Sequence, residues 1–518
     1  MSKITKIVGF QSGHDVSYCI LENGIPILCE ELERINRTKM ELGDGLKFFF
    51  SRCADAHDIK HFTYGNPGGR RQRITGDKES EDKMYKILAK SGGRFWEFGH
   101  HLSHAANAFF TSNFDRSLIV AVDGGGWESD TVGTTLAIYA GVDTKINELY
   151  IYPVGLNLGG LWHEMTKRVF GLSVGYPKGD QAGTVMAMAT LGKPKYTDLI
   201  PDYRRIWEKL KLLANSSEQT RFDLAASLQE YTEATFKQAI SKYMAGHENL
   251  CLSGGVSLNC VMLAKIKKWF PNIKNIFCDP VPYDAGVAIG SARYLWHHVL
   301  GNPRVKNNVK NMSPYMGRAY SKKDINGACK LFSDKINIKN TSDEDILDML
   351  NKQKIIAVFG GGSETGRRAL GNRSILANPK NEAMKTQINA RVKHRQWFRP
   401  LAPSILEEKI AEWFEDPILS PYMSFALKFK TDKQNKVPAV VHYDSTARLQ
   451  TVNKLLSPWF HGFLTKWESV SGVPILLNTS FNDNEPIVET PVNALECFLK
   501  TEIDYLYFFD CGLLVEKV

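Results

Sequence analysis

Two stretches of the chain repeat one pattern: an apolar run, a turn with an acidic residue and glycine, and another apolar run. The first is KIVGFQSGHDVSYCILENGIPILCEEL (residues 6–32), and the second begins at SLIVAVDGGG (117–126) and continues through TTLAIYAGVD and ELYIYPV. Short apolar runs separated by Gly, Asn and Asp turns predict β-strands. We therefore expect two strand meanders, the first leading into the charged segment ELERINRTK, and the second with a strand that stops at Asp123.

This duplication is typical of an α/β fold with a duplicated ASKHA (actin-like ATPase) core, whose tight turns present backbone N–H groups and a carboxylate to nucleotide phosphates and metal. The DGGG motif alone favours a plain turn. In NLCLSGGVSLNCVMLAKI a strand, Gly254 and Gly255, and a helix follow one another, which suits phosphate binding at a helix N-terminus; a tight turn without a ligand fits equally well. NIFCDPVPYDAGVAIGSARYLW repeats the plan, with Asp284 before a helix of small residues.

Length and composition set the outer limits. A chain of 518 residues with 43% hydrophobic content can bury a large core, and about 150 residues per domain suggests two to four domains. The polar segment NPRVKNNVKNMSP (302–314) predicts a boundary, which gives domains 1–305 and 312–518. The polar stretch 66–93, bracketed by glycines, predicts an insertion.

Charge and cysteine content restrict the partners. The 65 Lys and Arg against 56 Asp and Glu give a net charge of +9, which admits nucleic acid, anionic lipid or small phosphorylated substrates. No apolar run reaches the roughly 18 residues that a membrane span needs, and the chain starts on a strand-like run, so we expect a cytoplasmic protein that does not bind membranes. The nine cysteines form no CxxC pair, which argues against a zinc knuckle or a disulfide framework.

The segment GHHLSHAANAFF places three histidines within one and a half helical turns. On a helix His100 and His104 are separated by about 40° around the axis, and His101 and His104 by about 60°, so spacing allows either pair to share a face. Two imidazoles do not complete a metal's shell, and the carboxylates of Asp123 and Asp284 are the natural complement. Such a set suits iron or zinc; the alternative is a solvated or helix-capping histidine cluster.

The second half of the chain gathers basic residues among Gly, Asn and Ser. They lie in GGGSETGRRALGNRSILANP, ARVKHRQWFRPLAPSIL and HYDSTARLQTV, and they include Arg367, Arg368, Arg373, Lys393, Arg395, Arg399 and Arg448. Guanidinium groups on short turns match phosphate oxygens. A compact polyanion is therefore the expected ligand, against a surface basic stripe, and the apolar QWFRPLAP suits a pocket wall more than an open nucleic-acid groove.

The ordered motifs together resemble the NodU/TobZ family of O-carbamoyltransferases. The resemblance runs from GHDVSYCILENG and EELERINRTK through HHLSHAANAFF, VDGGG, LSGGVSLN and PYDAG to RRALGNRSILANP, VKHRQWFRPLAPSIL, HYDSTARLQTV and ILLNTSFNDNEPIV. It implies an N-terminal ASKHA domain like that of the tRNA threonylcarbamoyl transferases and a C-terminal YrdC-like domain. The second domain would convert carbamoyl phosphate and ATP, with Mg²⁺, into carbamoyl adenylate. The first would pass the carbamoyl group to a hydroxyl of a sugar-like or natural-product acceptor.

The resemblance also assigns residues. It maps the family's HxxxH pair onto His100 and His104, with Asp123 and Asp284 completing an iron-type site, zinc being the other candidate metal. It places Lys393 and Arg395 in catalysis, and carbamoyl phosphate and ATP phosphates on Arg368, Arg373, Lys393, Arg395, Arg399, Arg448, Asn478, Ser480 and Asn482. Nucleotide would contact Asp123, Gly124, Gly125, Asp180, Gly254, Gly255 and Asn259.

Two further expectations concern the transfer step and the chain's departures from the family. His14 and Asp15 are the candidate base and its orienting partner, although a structural turn capped by Asp15 fits SGHDVS as well. Arg367 stands where the family usually has a proline, which adds a cation at or beside the pocket.

Three functions compete at this stage. The first is the O-carbamoyltransferase, acting as a possible homodimer. The second is a tRNA threonylcarbamoyl-type enzyme, which the absence of a long Lys/Arg arm disfavours. The third is a catalytically silent nucleotide-binding protein, which the intact metal and basic motifs disfavour.

Overall fold

The computed structural model describes residues 4–54, 58–67, 77–172 and 181–518. The chain divides into unit 1, Met1–Met312, and unit 2, Ser313–Val518. This division falls inside the polar segment 302–314, where the composition changes. No helix in the described ranges is both long and apolar enough to cross a membrane.

The first sheet of unit 1 has five strands in the order β3-β2-β1-β4-β5. Its members are β1 (Lys6–Gln11), β2 (Ser17–Glu22), β3 (Ile25–Glu31), β4 (Ile59–Tyr64) and β5 (Arg94–Glu97). The first three strands pair antiparallel, whereas β4 pairs parallel with β1 and β5 parallel with β4. Antiparallel neighbours need only tight turns, such as the one at Asn23 and Gly24, and parallel neighbours need crossovers.

The second sheet of unit 1 repeats this topology with the order β10-β9-β6-β7-β8. Its strands are β6 (Arg116–Trp127), β7 (Gly133–Val142), β8 (Lys145–Ile151), β9 (Asn249–Ser253) and β10 (Asn275–Cys278). Here too three antiparallel strands are followed by two parallel ones. The α/β class and the duplicated first domain are thereby confirmed.

The helices of unit 1 connect and cover these sheets. They are α1 (Leu32–Asn36), α2 (Gly45–Arg52), α3 (Lys78–Ser91), α4 (His100–Thr111), α5 (Leu158–Glu164), α6 (Ala182–Ala189), α7 (Tyr203–Ala214), α8 (Glu218–Ser241), α9 (Cys260–Ala264), α10 (Ile266–Trp269), α11 (Ala285–Tyr294) and α12 (Val309–Met312). Three of the strand crossovers therefore run through α3, α8 and α9–α10.

Three local expectations need correction. Residues 68–76 of the predicted insertion 66–93 lie outside the described residues, and the rest is not simply an insertion, because α3 is capped by Asp77 and buries Met84 and Leu88 in the core beside the first sheet. Strand β6 does not stop at Asp123 but runs through the glycines to Trp127, with a register shift between Val122 and Gly126. A 3₁₀ turn, Gly255–Leu258, starts at the second glycine of the pair and precedes the short helix α9, so the pair does not lead directly into that helix.

Unit 2 is built on a mixed nine-stranded sheet in the order β11-β19-β18-β12-β13-β17-β14-β16-β15. Its strands are β11 (Ile336–Asn340), β12 (Ile356–Phe359), β13 (Arg373–Ala377), β14 (Ala402–Leu406), β15 (Phe425–Lys428), β16 (Thr446–Val452), β17 (Ile475–Ser480), β18 (Tyr505–Phe508) and β19 (Leu513–Lys517). Its helices are α13 (Lys322–Lys330), α14 (Asp343–Asn351), α15 (Ala383–Gln387), α16 (Ile410–Trp413), α17 (Thr431–Gln434), α18 (Pro458–Ser471) and α19 (Pro491–Lys500). Helices α14 and α18 pack together over one face of the sheet, with Trp467 fully buried between them and the strands.

Candidate functional site

Four buried side chains of unit 1 converge on one point. His100 and His104 lie on α4, Asp123 lies in β6, and Asp284 immediately precedes α11. One ligand atom from each residue lies within 4.8 Å of all the others. The Nε2 atoms of the two histidines are 3.2 Å apart, and Asp123 Oδ2 is 3.2 Å from that of His100 and 3.3 Å from that of His104. The structure thus selects His100 with His104 from the two pairs that spacing allowed.

Glycines bring the ligand-bearing elements together. A Cβ at Gly290 of α11 would lie 1.8 Å from the carbonyl oxygen of Ser103 on α4, so α4 and α11 can approach this closely only without a side chain there. A Cβ at Gly126 would lie 2.2 Å from Cδ2 of His100. The last glycine of DGGG therefore makes room for the imidazole that faces Asp123.

The cluster is strongly polarised. Burial disfavours a charged imidazole, but Asp284 and Asp123 outweigh it and raise the pKa of His100 well above its ordinary value. Burial likewise disfavours a charged carboxylate, yet His100 and His104 hold the pKa of Asp284 well below its usual range. Against its burial, the same histidines lower the pKa of Asp123, so both carboxylates are ionised at neutral pH.

This donor set fits a transition metal. Two imidazole nitrogens and two ionised carboxylates are ligands that zinc and non-haem iron both accept. The Nε2 atoms point at the carboxylates, while Nδ1 of His100 and of His104 is buried without a hydrogen-bond partner among the described residues. Only the Nε2 face of each ring is thus directed at the shared point.

His14 and Asp15 lie at the edge of the cluster. His14 Nδ1 is 3.1 Å from Asp15 Oδ2, and its Nε2 is 3.5 Å from Asp284 Oδ2. The hydrogen bond that His14 donates to Asp15 and the charge of Asp284 raise the pKa of His14 to about 9. Its side chain is 48% exposed, so the ring faces solvent from beside the buried ligands.

The glycine turns lie next to the same carboxylate. Gly255 donates its backbone N–H to Asp123 Oδ1 at 3.1 Å, which ties the second turn to the first. Gly254 has a φ of 89°, and a Cβ there would lie 2.1 Å from the carbonyl oxygen of Val122. Gly124 and Gly125 are exposed, so their backbone is open to a ligand.

Two of the expected nucleotide contacts stand differently. Asn259 caps α9 through Oδ1 and exchanges hydrogen bonds with Gln229, so its side chain is already engaged in the described structure. Asp180 lies outside the described residues.

In unit 2 the structure brings Lys393 to Ser480 and Asn482. Its ammonium group donates to the carbonyl oxygens of Ser480 and Asn482 at 2.7 and 2.8 Å, to Ser480 Oγ at 3.1 Å, and to Asn482 Oδ1. Lys393 is buried, so its hydrogen bonds join the segments 393–395 and 480–482 into one fixed assembly.

Arg395, Arg399 and Arg448 form a second group, the guanidinium cluster. Burial, together with the charges of Arg399 and Arg448, lowers the pKa of Arg395 well below its ordinary value. Burial and Arg448 lower the pKa of Arg399 to about 10. The three cations are thus partly desolvated and close enough to repel one another.

Two other predicted phosphate contacts, Arg373 and Asn478, already form hydrogen bonds within the protein. The fully buried Arg373 donates from Nη1 to the carbonyl oxygen of Gly360 at 2.6 Å and from Nη2 to that of Gly361 at 3.3 Å, and its guanidinium lies 3.6 Å from the ring centre of Phe359. Both terminal nitrogens of Arg373 therefore already donate to backbone carbonyl oxygens, whereas an arginine that binds phosphate needs these N–H groups for the phosphate. Asn478 is buried and donates to Ser404 Oγ at 2.9 Å. Arg368 is half-buried in the turn before β13.

Both units are similar to known protein families. Residues 202–293 match the family described as Carbamoyltransferase N-terminus, and residues 347–515 match Carbamoyltransferase C-terminus. Nodulation protein NolNO of Sinorhizobium fredii is 35% identical, over 95% of this chain and 78% of that protein. Nodulation protein NolO of Bradyrhizobium diazoefficiens is 33% identical, over 79% of this chain and 77% of that protein. The chain belongs to the carbamoyltransferase family.

This confirms the family resemblance and the assignment as a carbamoyltransferase enzyme. Among solved structures, HypF of T. kodakarensis is 15% identical, with a TM-score of 0.40 over 57% of this chain and 48% of that one, a likeness too weak to bear on function.

Two residues of this carbamoyltransferase were missed by the sequence analysis. Glu128 accepts from the backbone N–H groups of His101 and Leu102 at 2.6 and 3.3 Å, and its Oε1 lies 3.1 Å from His101 Nδ1. Asn389 accepts from Arg395 Nε at 2.8 Å and donates to the carbonyl oxygen of Arg399 at 2.9 Å. The feature of the sequence that relates to Glu128 is the glycine that precedes α4, because a Cβ at Gly99 would lie 2.1 Å from Glu128 Oε2.

Proposed function

We propose that this carbamoyltransferase forms carbamoyl adenylate from carbamoyl phosphate and ATP in unit 2 and transfers its carbamoyl group in unit 1 to a hydroxyl of a sugar-like or natural-product acceptor. The observation that carries the proposal is the guanidinium cluster. Three mutually repelling, partly buried guanidinium groups are stabilised by a polyanion, and phosphate matches their fork geometry. Both co-substrates supply phosphates, and the family supplies the carbamoyl chemistry.

The first half-reaction needs charge neutralisation, one water molecule for the hydrolysis of carbamoyl phosphate, and protection of the adenylate from further water. Carbamoyl phosphate is hydrolysed to carbamate and inorganic phosphate, and a carbamate oxygen then attacks the α-phosphorus of ATP, which releases pyrophosphate. The guanidinium cluster would hold the phosphate oxygens of both co-substrates, with Mg²⁺ accompanying ATP. Lys393 would form part of the wall of this site, where its hydrogen bonds fix the positions of Ser480 and Asn482.

The second half-reaction is a carbamoyl transfer. The acceptor oxygen bonds to the carbonyl carbon, AMP leaves, and the hydroxyl proton goes to a base, for which we propose His14 oriented by Asp15. With a pKa of about 9, His14 already carries its proton at neutral pH. It could take the acceptor's proton only once the negative charge of Asp284 is offset, which would lower this pKa. A bound iron or zinc ion would supply positive charge that polarises the carbonyl group.

Nucleotide in unit 1 would lie against the exposed backbone of Gly124 and Gly125 and the turn at Gly254 and Gly255. These glycines surround Asp123, which therefore links the proposed nucleotide and metal sites. Asp180 stays a predicted contact. The cytoplasmic location and the homodimer expected from the sequence also stay predictions.

The test separates the two half-reactions. The purified protein, given ATP and carbamoyl phosphate, should release AMP, pyrophosphate and phosphate. Arg395→Ala should lose pyrophosphate release, whereas His104→Ala should retain it and lose transfer to the acceptor. Arg391→Ala is the control, because Arg391 is exposed and pairs with Glu502 at 3.6 Å.

Carbamoylated acceptor would be sought by mass spectrometry in metabolite mixtures incubated with the enzyme. Loss of the same half-reaction in both variants, or no pyrophosphate release by the wild type, would contradict the division of labour.

A further inference from the structure

Unit 2, which is described throughout, has two exposed aromatic side chains, and they touch each other. Trp397 is 52% exposed and Tyr443 is 50% exposed. Their ring centres lie 5.7 Å apart at an interplanar angle of 80°, an edge-to-face contact. Large aromatic surface left in water is unfavourable, and the proposed chemistry of the phosphates and the carbamoyl group gives neither ring a role.

Trp397 is fixed beside the guanidinium cluster. It lies between Arg395 and Arg399 in the chain, and the buried Asn389 links all three positions. Asn389 Oδ1 accepts from Arg395 Nε at 2.8 Å, and its Nδ2 donates to the carbonyl oxygens of Trp397 at 3.3 Å and Arg399 at 2.9 Å. The backbone at Trp397 is therefore fixed relative to that of Arg399 and to the side chain of Arg395.

Tyr443 joins the same basic region from another segment. Lys385 Nζ lies 4.0 Å from the centre of the Tyr443 ring, and burial lowers the pKa of Lys385. The preceding residue, His442, is half-buried, and burial together with the charges of Arg448 and Lys385 lowers its pKa to about 4. Both members of the aromatic pair thus have cationic neighbours. Trp397 lies between Arg395 and Arg399 in the chain, and the ring of Tyr443 contacts Lys385.

We propose that Trp397 and Tyr443 bind the purine base of the nucleoside triphosphate whose phosphates occupy the guanidinium cluster. This rests on the proposed function, in which ATP is a co-substrate of unit 2. A nucleotide is both a polyanion and a flat aromatic ring, and stacking on aromatic side chains is a common way to hold such a ring. The exposed aromatic pair can stack on the base, and the partly buried guanidinium groups near it in the chain can bind the phosphates.

The experiment compares a ligand with the base to one without it. Pyrophosphate release gives the KM for ATP, and inorganic tripolyphosphate, which has the phosphates but no base, gives a competitive Ki. Trp397→Ala should raise the KM for ATP about tenfold or more, with the Ki for tripolyphosphate unchanged. Trp397→Phe should retain most of the affinity because it keeps an aromatic face.

Tyr443→Ala should behave as Trp397→Ala, and Tyr85→Ala is the matched control, since Tyr85 is 52% exposed in unit 1. An unchanged KM for ATP in both alanine variants would overturn the inference, and so would equal losses for ATP and tripolyphosphate. A raised KM for the hydroxylated acceptor alone would reassign the aromatic pair to the acceptor and overturn it too. No pyrophosphate release by the wild type would overturn the proposed function itself, a result distinct from these.

Discussion

His101 Nδ1 lies 3.1 Å from Glu128 Oε1, and the same carboxylate accepts the backbone N–H groups of His101 and Leu102. Glu128 thus caps α4 at the turn that carries His100. Burial lowers the pKa of His101, so its imidazole is neutral at neutral pH and is not attracted to the carboxylates of Asp123 and Asp284 as a cation would be. His101 is accordingly a supporting residue, held away from the point where His100 and His104 meet.

Glu128→Gln should therefore weaken metal binding. A neutral amide caps α4 less well and alters its hydrogen bonds to His101, and changes behind metal ligands typically cost 10- to 100-fold in affinity, so we expect about tenfold. Competition with a chelator, followed by measurement of protein-bound metal, gives the affinity. Glu79→Gln on the exposed face of α3 is the control; equal metal affinity in both variants would limit Glu128 to helix stability.

Removal of the proposed iron or zinc ion should lower the thermal stability of unit 1. A ligand that binds only the folded state stabilises it by RT ln(1 + L/Kd), where L is the free ligand concentration, so the stabilisation grows as L exceeds Kd. We expect a chelator to lower the melting temperature of the wild type, and re-addition of iron or zinc to restore it. His104→Ala should show neither response, and a variant that still responded would exclude these four residues as the metal site.

Gly290→Ala should destabilise unit 1 by about 1–3 kcal/mol or more, because the new methyl group would lie against the Ser103 carbonyl and force α4 and α11 apart. Gly327→Ala in α13 is the matched control, since no atom lies within 4 Å of its added Cβ. That substitution should stabilise by about 0.5–1 kcal/mol. Denaturant midpoints measure both, and a neutral Gly290→Ala would show that α4 and α11 pack less closely than described.

The fold was more predictable than the site because strand alternation and turn residues are local signals. They indicated both meanders of unit 1, whereas α3 was missed because its apolar residues are few and its surface is charged. His100 and His101 were equivalent by spacing until the contact with Glu128, 27 positions along the chain, separated them. Arg373 and Arg395 both follow short turns, and only tertiary burial shows that Arg373 is bound by backbone carbonyls.

The stability of unit 1 should fall in acid through His297. Burial, with the charges of Arg293 and Arg304, lowers the pKa of His297 to about 4, against about 6.5 in the unfolded chain. Between these values the unfolded state binds the proton and the folded state does not, so stability is full above about pH 6.5 and falls by about 3 kcal/mol on approach to pH 4.

Denaturant midpoints from pH 7.5 to 4 should therefore drop less steeply in His297→Gln than in the wild type. The exposed His163→Gln serves as the control and should follow the wild type. Identical slopes for His297→Gln and the wild type would show that His297 is not neutral in the folded state.

Pyrophosphate alone should stabilise unit 2. Arg395, Arg399 and Arg448 repel one another, and a bound polyanion converts that repulsion into charge-assisted hydrogen bonds. We expect millimolar pyrophosphate to raise the melting temperature of the wild type by several degrees, and Arg448→Met to abolish the increase. Arg391→Gln, which changes an exposed arginine, should keep the full response; if it lost the response as well, the stabilisation would reflect general surface charge and not the guanidinium cluster.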